Sequence, residues 1–166
     1  MPVVISDTTV LNYLSRIGQF GLLRLQFQKI LIPPAVLAEM AARTDLPGIV
    51  DTRRAISDGW LEIRSPQKEN VRQLLWTRLD LGELQAIALA QEFPAALLLM
   101  DEAEGRAIAG QLKLNLIGTI GILLQAQKTG AISKLKPMLD DLTQQHGFRL
   151  GRKIYEDTLR EAGEWE

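Results

Sequence analysis

Five runs of four to six mostly apolar residues, Met1–Ile5, Lys29–Ile32, Trp60–Ile63, Ala95–Met100 and Leu114–Ile117, punctuate stretches of helical periodicity. Runs of this length suit buried strands better than buried helices. Parallel strands need long crossovers, usually helical, and every gap here is long enough to hold one. After the first run, Ser6-Asp7 reads as a helix N-cap, Val10, Leu14 and Ile17 follow at helical spacing, and Gly18 stops the segment. Pro34 suits the first turn of a helix through Met40, where its missing N–H is not needed. Further helices are expected over Phe20–Leu25, Gly48–Ser57, Lys68–Trp76, Glu83–Glu92, Ala103–Lys113, Thr119–Gln127, Ser133–Gln145 and Arg152–Ala162, with a turn at Asp80-Leu81-Gly82. The alternation predicts an α/β chain: a three-layer α/β/α arrangement around a parallel sheet of about five short strands. No internal repeat, low-complexity tract or linker interrupts it, so residues 1–166 are expected to form a single domain.

Composition narrows the chemistry. The absence of cysteine removes disulfide scaffolds, thiolate zinc sites, iron–sulfur clusters and thiol nucleophiles. A single histidine, His146, removes multi-histidine metal sites and leaves one possible base for a serine triad. Carboxylates remain as the main chemical tools. The start of the chain lacks a basic segment and a long apolar run, and Ala95–Met100 falls far short of the ~20 residues that cross a bilayer. A soluble, cytoplasmic protein with no membrane partner is therefore expected.

The net charge of −1 hides an asymmetry. Residues 105–155 carry eight Lys/Arg against Asp140 and Asp141 alone, whereas residues 1–104 carry 10 Lys/Arg against 13 Asp/Glu. A basic face beside an acidic one, or ordinary solvated helix faces, would each give this pattern.

In an open parallel sheet, ligands bind beyond the carboxyl ends of the strands. Asp7 follows the first predicted strand and Asp101 follows the fourth. If the two are neighbours, a cation must offset their repulsion, and hard divalent ions take oxygen ligands. Each also has an ordinary role open to it, because Asp is a favoured N-cap. Glu39 and Glu83 lie on predicted helices in apolar contexts, Glu102 and Glu104 flank Ala103, and Glu83 is spaced to form a capping box with Asp80. Each spacing is ordinary; their joint occurrence with two strand-end acids is the signal.

These blocks carry a resemblance. Ser6-Asp7-Thr8-Thr9-Val10-Leu11 resembles the opening of a PIN domain, the fold of VapC-type toxin nucleases. Pro34–Glu39, Leu79–Glu83, Leu99–Arg106 and Ile117–Leu124 resemble a PIN-like bacterial and archaeal group long described only as a domain of unknown function, and the likeness extends from Val3 to about Gly163. By position it implies that Asp7, Glu39, Glu83 and Asp101 are catalytic and metal-ligating. Glu102 stands where the family often has a second Asp, and it is carried as a further ligand. Asn12 and Thr119 fall in family-like blocks where they could orient a carboxylate or serve a turn or cap, and Arg106 could meet a phosphate or pair with an acid.

The resemblance further implies an endoribonuclease dependent on Mg²⁺ or Mn²⁺, with RNA as substrate, an antitoxin as a protein partner and a homodimer as the assembly. The residues suit the chemistry: phosphodiester hydrolysis needs an activated water and a cation for charge developing on the phosphoryl oxygens. An acidic pocket cannot itself attract RNA, which gives the basic stretch 105–155 a possible role in affinity. Aromatic platforms are scarce, with Trp60, Trp76, Trp165, Tyr13, Tyr155 and four Phe to share with the core. Among rivals, a haloacid-dehalogenase-like phosphatase wants Asp where Thr9 stands, and a Rossmann domain wants glycines after the first strand. A PIN-like module that binds protein without catalysis is the non-enzymatic alternative.

Overall fold

A computed structural model describes all residues 1–166. Its elements run β1 (Val4–Ser6), α1 (Thr8–Arg16), α2 (Gly21–Phe27), β2 (Ile30–Ile32), α3 (Pro34–Ala42), α4 (Gly48–Ser57), β3 (Leu61–Ile63), α5 (Lys68–Arg72), α6 (Leu81–Ala90), β4 (Leu97–Leu99), α7 (Ala103–Gln111), β5 (Asn115–Ile117), α8 (Thr119–Lys128), α9 (Lys136–Gln145) and α10 (Arg152–Glu161). The order of strands and helices is the one expected from the sequence. All five strands are parallel, in the order β3-β2-β1-β4-β5. Helices cover both faces, giving the three-layer α/β/α architecture.

Alternation along the strands divides the core, because successive side chains point to opposite faces. Val4, Ile30, Ile32, Leu61 and Leu99 join a 24-residue cluster with α1, α2, α3, α4, α8, α9 and α10. Ile5, Leu31, Leu98 and Met100 face a 14-residue cluster built chiefly from α6, with Ala109 of α7. The second layer is thin and close-packed. Small residues on α6, Ala86, Ala88 and Ala90, let that helix lie against the sheet, and all three are fully buried.

Most elements start or stop one to three residues from the expected positions, as for α9, which begins at Lys136 rather than Ser133, and α7, which ends at Gln111 rather than Lys113; two differences have a clear physical cause. Helix α6 begins at Leu81 rather than Glu83, because the Asp80 side chain accepts from the Glu83 N–H and closes a capping box, drawing the presumed turn residues into the first helical turn. Helix α5 ends at Arg72 rather than Trp76. Beyond it only Leu74 is buried while Leu75 and Trp76 stand in solvent, so no apolar stripe supports another turn. No helix is long and apolar enough to cross a membrane.

The strand order creates a switch point. From β1 the chain steps outward to β2 and β3, then returns across the sheet to place β4 on the opposite side of β1. The crossovers therefore diverge between β1 and β4, opening a crevice at the carboxyl ends of those two strands. Leu98 lies at the centre of the thin layer and is fully buried. Leu98→Ala is expected to cost about 2–5 kcal/mol and to lower Tm by roughly 5–15 °C, read by thermal unfolding.

Candidate active site

The register of the central strands places two acids at this crevice. Ile5 pairs with Leu98 and Ser6 with Leu99. The next residue, Asp7, donates its backbone N–H to the Leu99 carbonyl at 3.0 Å, which ties the end of β1 to β4. Asp101 lies two residues past the end of β4. Asp7 is 1% exposed and is the N-cap of α1, with Oδ1 accepting from the Thr8 N–H at 2.6 Å. Its Oδ2 is buried without a hydrogen-bond partner. Such an oxygen keeps the full cost of its desolvation.

Glu39, half-buried on α3, reaches the same crevice. Its Oε2 accepts from the Thr8 hydroxyl at 2.8 Å and its Oε1 from the Gly82 N–H at 2.9 Å, so one carboxylate joins the first turns of α1 and α6. Gly82 has to be glycine for that contact, since a Cβ there would collide with Glu39 Oε1. Glu83 follows at the third position of α6, nearly buried, with Oε2 accepting from the Asp80 N–H at 3.3 Å. Asp80 also acts on Asp7, Glu39 and Glu83 through its charge. The sequence reading gave Asp80 a capping role alone; its Leu79–Glu83 block was the available signal for more.

Asp101 is held from the first residue of α8. Thr119 donates its backbone N–H to Oδ1 and its hydroxyl to Oδ2, both at 2.7 Å, so this threonine orients a carboxylate. Arg106 turns back to donate to the Met100 carbonyl at 2.8 Å, which leaves its charge beside Asp101. Glu102 caps α7 and is exposed at the mouth. Its charge acts on both Glu83 and Asp101. The five acids singled out from the sequence thus form two groups, Asp7–Glu39–Glu83 with Asp80, and Asp101–Glu102, linked through Glu83 and Glu102. Glu104 lies on exposed α7 and joins neither.

Burial and like charge act together here. Desolvation pushes the Asp7 carboxyl well above the usual range, helped by Glu83, Asp80 and Glu39 and opposed by the Thr8 bond. Glu83 is raised to about 7, first by burial and then by Asp80. Glu39 and Asp101 are raised by burial, against the bonds from Thr8 and Thr119 respectively. Nearby cations would reverse these shifts by favouring the charged forms. The donors are all carboxylate oxygens, the set that hard divalent ions prefer, and Asp7 Oδ2 is an unused one. No three acidic side chains converge into a ready-made cage. An ion that keeps several waters and binds one or two carboxylates needs none.

The basic stretch is more local than its sequence suggests. Four of its eight cations are paired at the surface: Lys128 with Glu161, Lys136 with Asp140, Arg152 with Glu156 and Lys153 with Asp157. The acidic end of the chain folds back along it and neutralises much of the excess. Arg106 and Arg149 are the members of that stretch that lie beside the acids.

A family model described as a PIN domain, DUF3368, matches residues 3–164, nearly the full chain. The chain therefore belongs to the PIN-domain family. Such domains are generally nucleases that bind nucleic acid and typically use divalent metals. No curated protein matches the chain significantly.

The raised acids give a signed pH dependence. An unfolded Glu loses its proton near pH ~4.3, whereas folded Glu83 holds one up to about 7. Between these values the folded state binds more protons, so the Glu83 contribution to stability falls as pH rises through that window. In EDTA, Glu83→Gln is expected to have a higher Tm than wild type at pH 8, with the gap closing toward pH 4. Calorimetric Tm values that showed the opposite trend would contradict the burial of this charge.

Proposed function

We propose that the chain is a Mg²⁺- or Mn²⁺-dependent endoribonuclease acting at Asp7, Glu39, Glu83 and Asp101, and that residues 1–166 work as one domain. The observation that carries the reading is Asp7 Oδ2, buried and unpartnered on a carboxyl whose charge is opposed by three further acids, in a PIN domain. That arrangement is unfavourable as it stands and becomes favourable once positive charge enters. When bound, a divalent ion supplies charge neutralisation for the phosphoryl oxygens and a more acidic water.

The chain's own residues then divide the work. Asp7 and Asp101 are the inner ligands, the first through its free oxygen and the second held in one orientation by Thr119. Glu39 accepts from Thr8 and Gly82, fixing the two helix starts that carry Asp7 and Glu83, and adds a further carboxylate to the metal site. Glu83, raised to about 7, is the group suited to accept the proton of the attacking water near neutral pH. Glu102, outside and exposed, is the outer ligand in this scheme. A type II toxin with a protein antitoxin and a homodimeric assembly completes the reading; the antitoxin would cover the crevice and answer its charge.

Purified protein is expected to cleave RNA with Mg²⁺ or Mn²⁺ and to stop in EDTA. Asp7→Asn with Asp101→Asn should lower the rate by about a hundredfold or more while leaving the circular dichroism unchanged. Independently, Mn²⁺ at about 100 times its Kd should stabilise wild type by roughly 2.7 kcal/mol and the double variant far less. Absence of both cleavage and Mn²⁺ binding would replace the nuclease with a protein-binding module.

A further inference from the structure

Two cavities border the acidic crevice and share a wall. The larger, about 490 Å³, has Tyr13, Asp101, Glu102, Phe148 and Arg149 in its lining. The smaller, about 190 Å³, has Asn12, Tyr13, Arg16, Arg43 and Glu102. Tyr13 and Glu102 line both, so the two form one trough past the face of Asp101. The larger lies within the ~300–1,000 Å³ typical of ligand pockets.

The trough combines features that an acid cluster lacks. Its far wall is the segment 146–151 between α9 and α10, which belongs to none of the acid-bearing elements. That segment is anchored at three points. Phe148 packs edge-on against Tyr13 with ring centroids 4.8 Å apart. The Phe148 N–H donates to the Leu142 carbonyl at 3.0 Å, and Arg16 Nη1 donates to the His146 carbonyl at 3.3 Å. Arg149 therefore projects from a held backbone, its side chain exposed and free of any ion pair, including with Glu102 across the cavity. Arg16, whose guanidinium lies 5.8 Å from the Tyr13 ring centroid, has a buried Nε with no partner. Asn12 Oδ1 is also buried and unpaired, packed so closely on Gly48 that a Cβ there would strike it.

Tyr13 thus stands between two guanidinium groups and two carboxylates. Arginines, carboxylates and apolar rings lining one trough suit a chain of alternating phosphates and planar bases. A guanidinium fork matches a phosphate bidentately. A cavity of this size takes one splayed-out nucleotide, whereas a paired one would hold its partner strand outside. We propose that the Tyr13–Phe148–Arg149 cavity is a nucleotide subsite for single-stranded RNA flanking the cleaved bond, with Arg149 binding the neighbouring phosphate. The inference rests on the nuclease reading above and adds the residues that supply affinity.

The test measures binding and turnover separately. A fluorescein-labelled, mixed-sequence single-stranded RNA of about 12 residues is titrated in EDTA by anisotropy, and the same RNA is cleaved with Mn²⁺. Arg149→Ala should weaken binding about tenfold and reduce the slope of log affinity against log salt by about 0.7. It should raise KM about tenfold with kcat within about threefold of wild type. Arg149→Lys, which keeps the charge and loses the fork, should fall between. Lys134→Ala, an exposed cation elsewhere, should behave as wild type. Unchanged binding and KM in Arg149→Ala would overturn the subsite and leave the nuclease standing. Weakened binding in a protein that cleaves nothing would support the subsite and remove the nuclease. Wild type that binds no RNA in either buffer would overturn it and give the trough to a protein segment.

Discussion

A carboxylate taken out of water without compensation is among the least favourable groups a fold can contain, and Asp7 sits in that position at the centre of the sheet. One of its oxygens caps α1, while the other has no donor to meet it, and the charges of Glu83, Asp80 and Glu39 oppose its own. The surroundings are arranged to hold that geometry. The Asp7 N–H is pinned to β4, Thr8 is pinned to Glu39, and Glu39 is pinned to the start of α6. Thr119 secures Asp101 on the other side of the crevice. A set of polar contacts this complete around acids that repel one another keeps the repulsion from relaxing. A bound cation then gains energy that a flexible surface cluster would already have lost by moving apart.

The scaffold makes this tolerable. Both faces of the sheet are apolar, with fully buried Ile5, Leu98 and Leu99 beside the acids in space or sequence. Parallel strands of three residues give little ladder energy, so the helical layers contribute most of the stability. The thin layer of small residues on α6 brings that helix close to the sheet, and its capped N-terminus carries Glu83 to the crevice. The α6 capping box is thus a helix start and part of the site together.

Charge along the chain and charge in space are different quantities here. Half of the cations of residues 105–155 are paired with carboxylates on α9 and α10. What remains near the acids is Arg106, bent back onto the Met100 carbonyl, and Arg149, held out by the Tyr13–Phe148 contact. Affinity for a polyanion would come from these few placed guanidinium groups rather than from a broad basic face.

The alternation of apolar runs and helical periodicity is local information, and it determined the element order, the parallel sheet and the positions of Asp7 and Asp101 after their strands. Strand-end acids are legible because chain direction alone puts them at the same edge of a parallel sheet. Residue-type signals also carried the Asp80–Glu83 capping box. Register, strand order and side-chain reach are decided by packing between distant segments, and so the tertiary structure alone revealed that Glu39 joins two helix starts and that Asp101 is the carboxylate Thr119 orients. It likewise placed Asp80 among the acids, paired half of the basic stretch and brought Phe148 and Arg149 to Tyr13 across more than a hundred residues of chain. No local pattern encodes such contacts, because each exists only once two surfaces far apart in sequence have closed on each other.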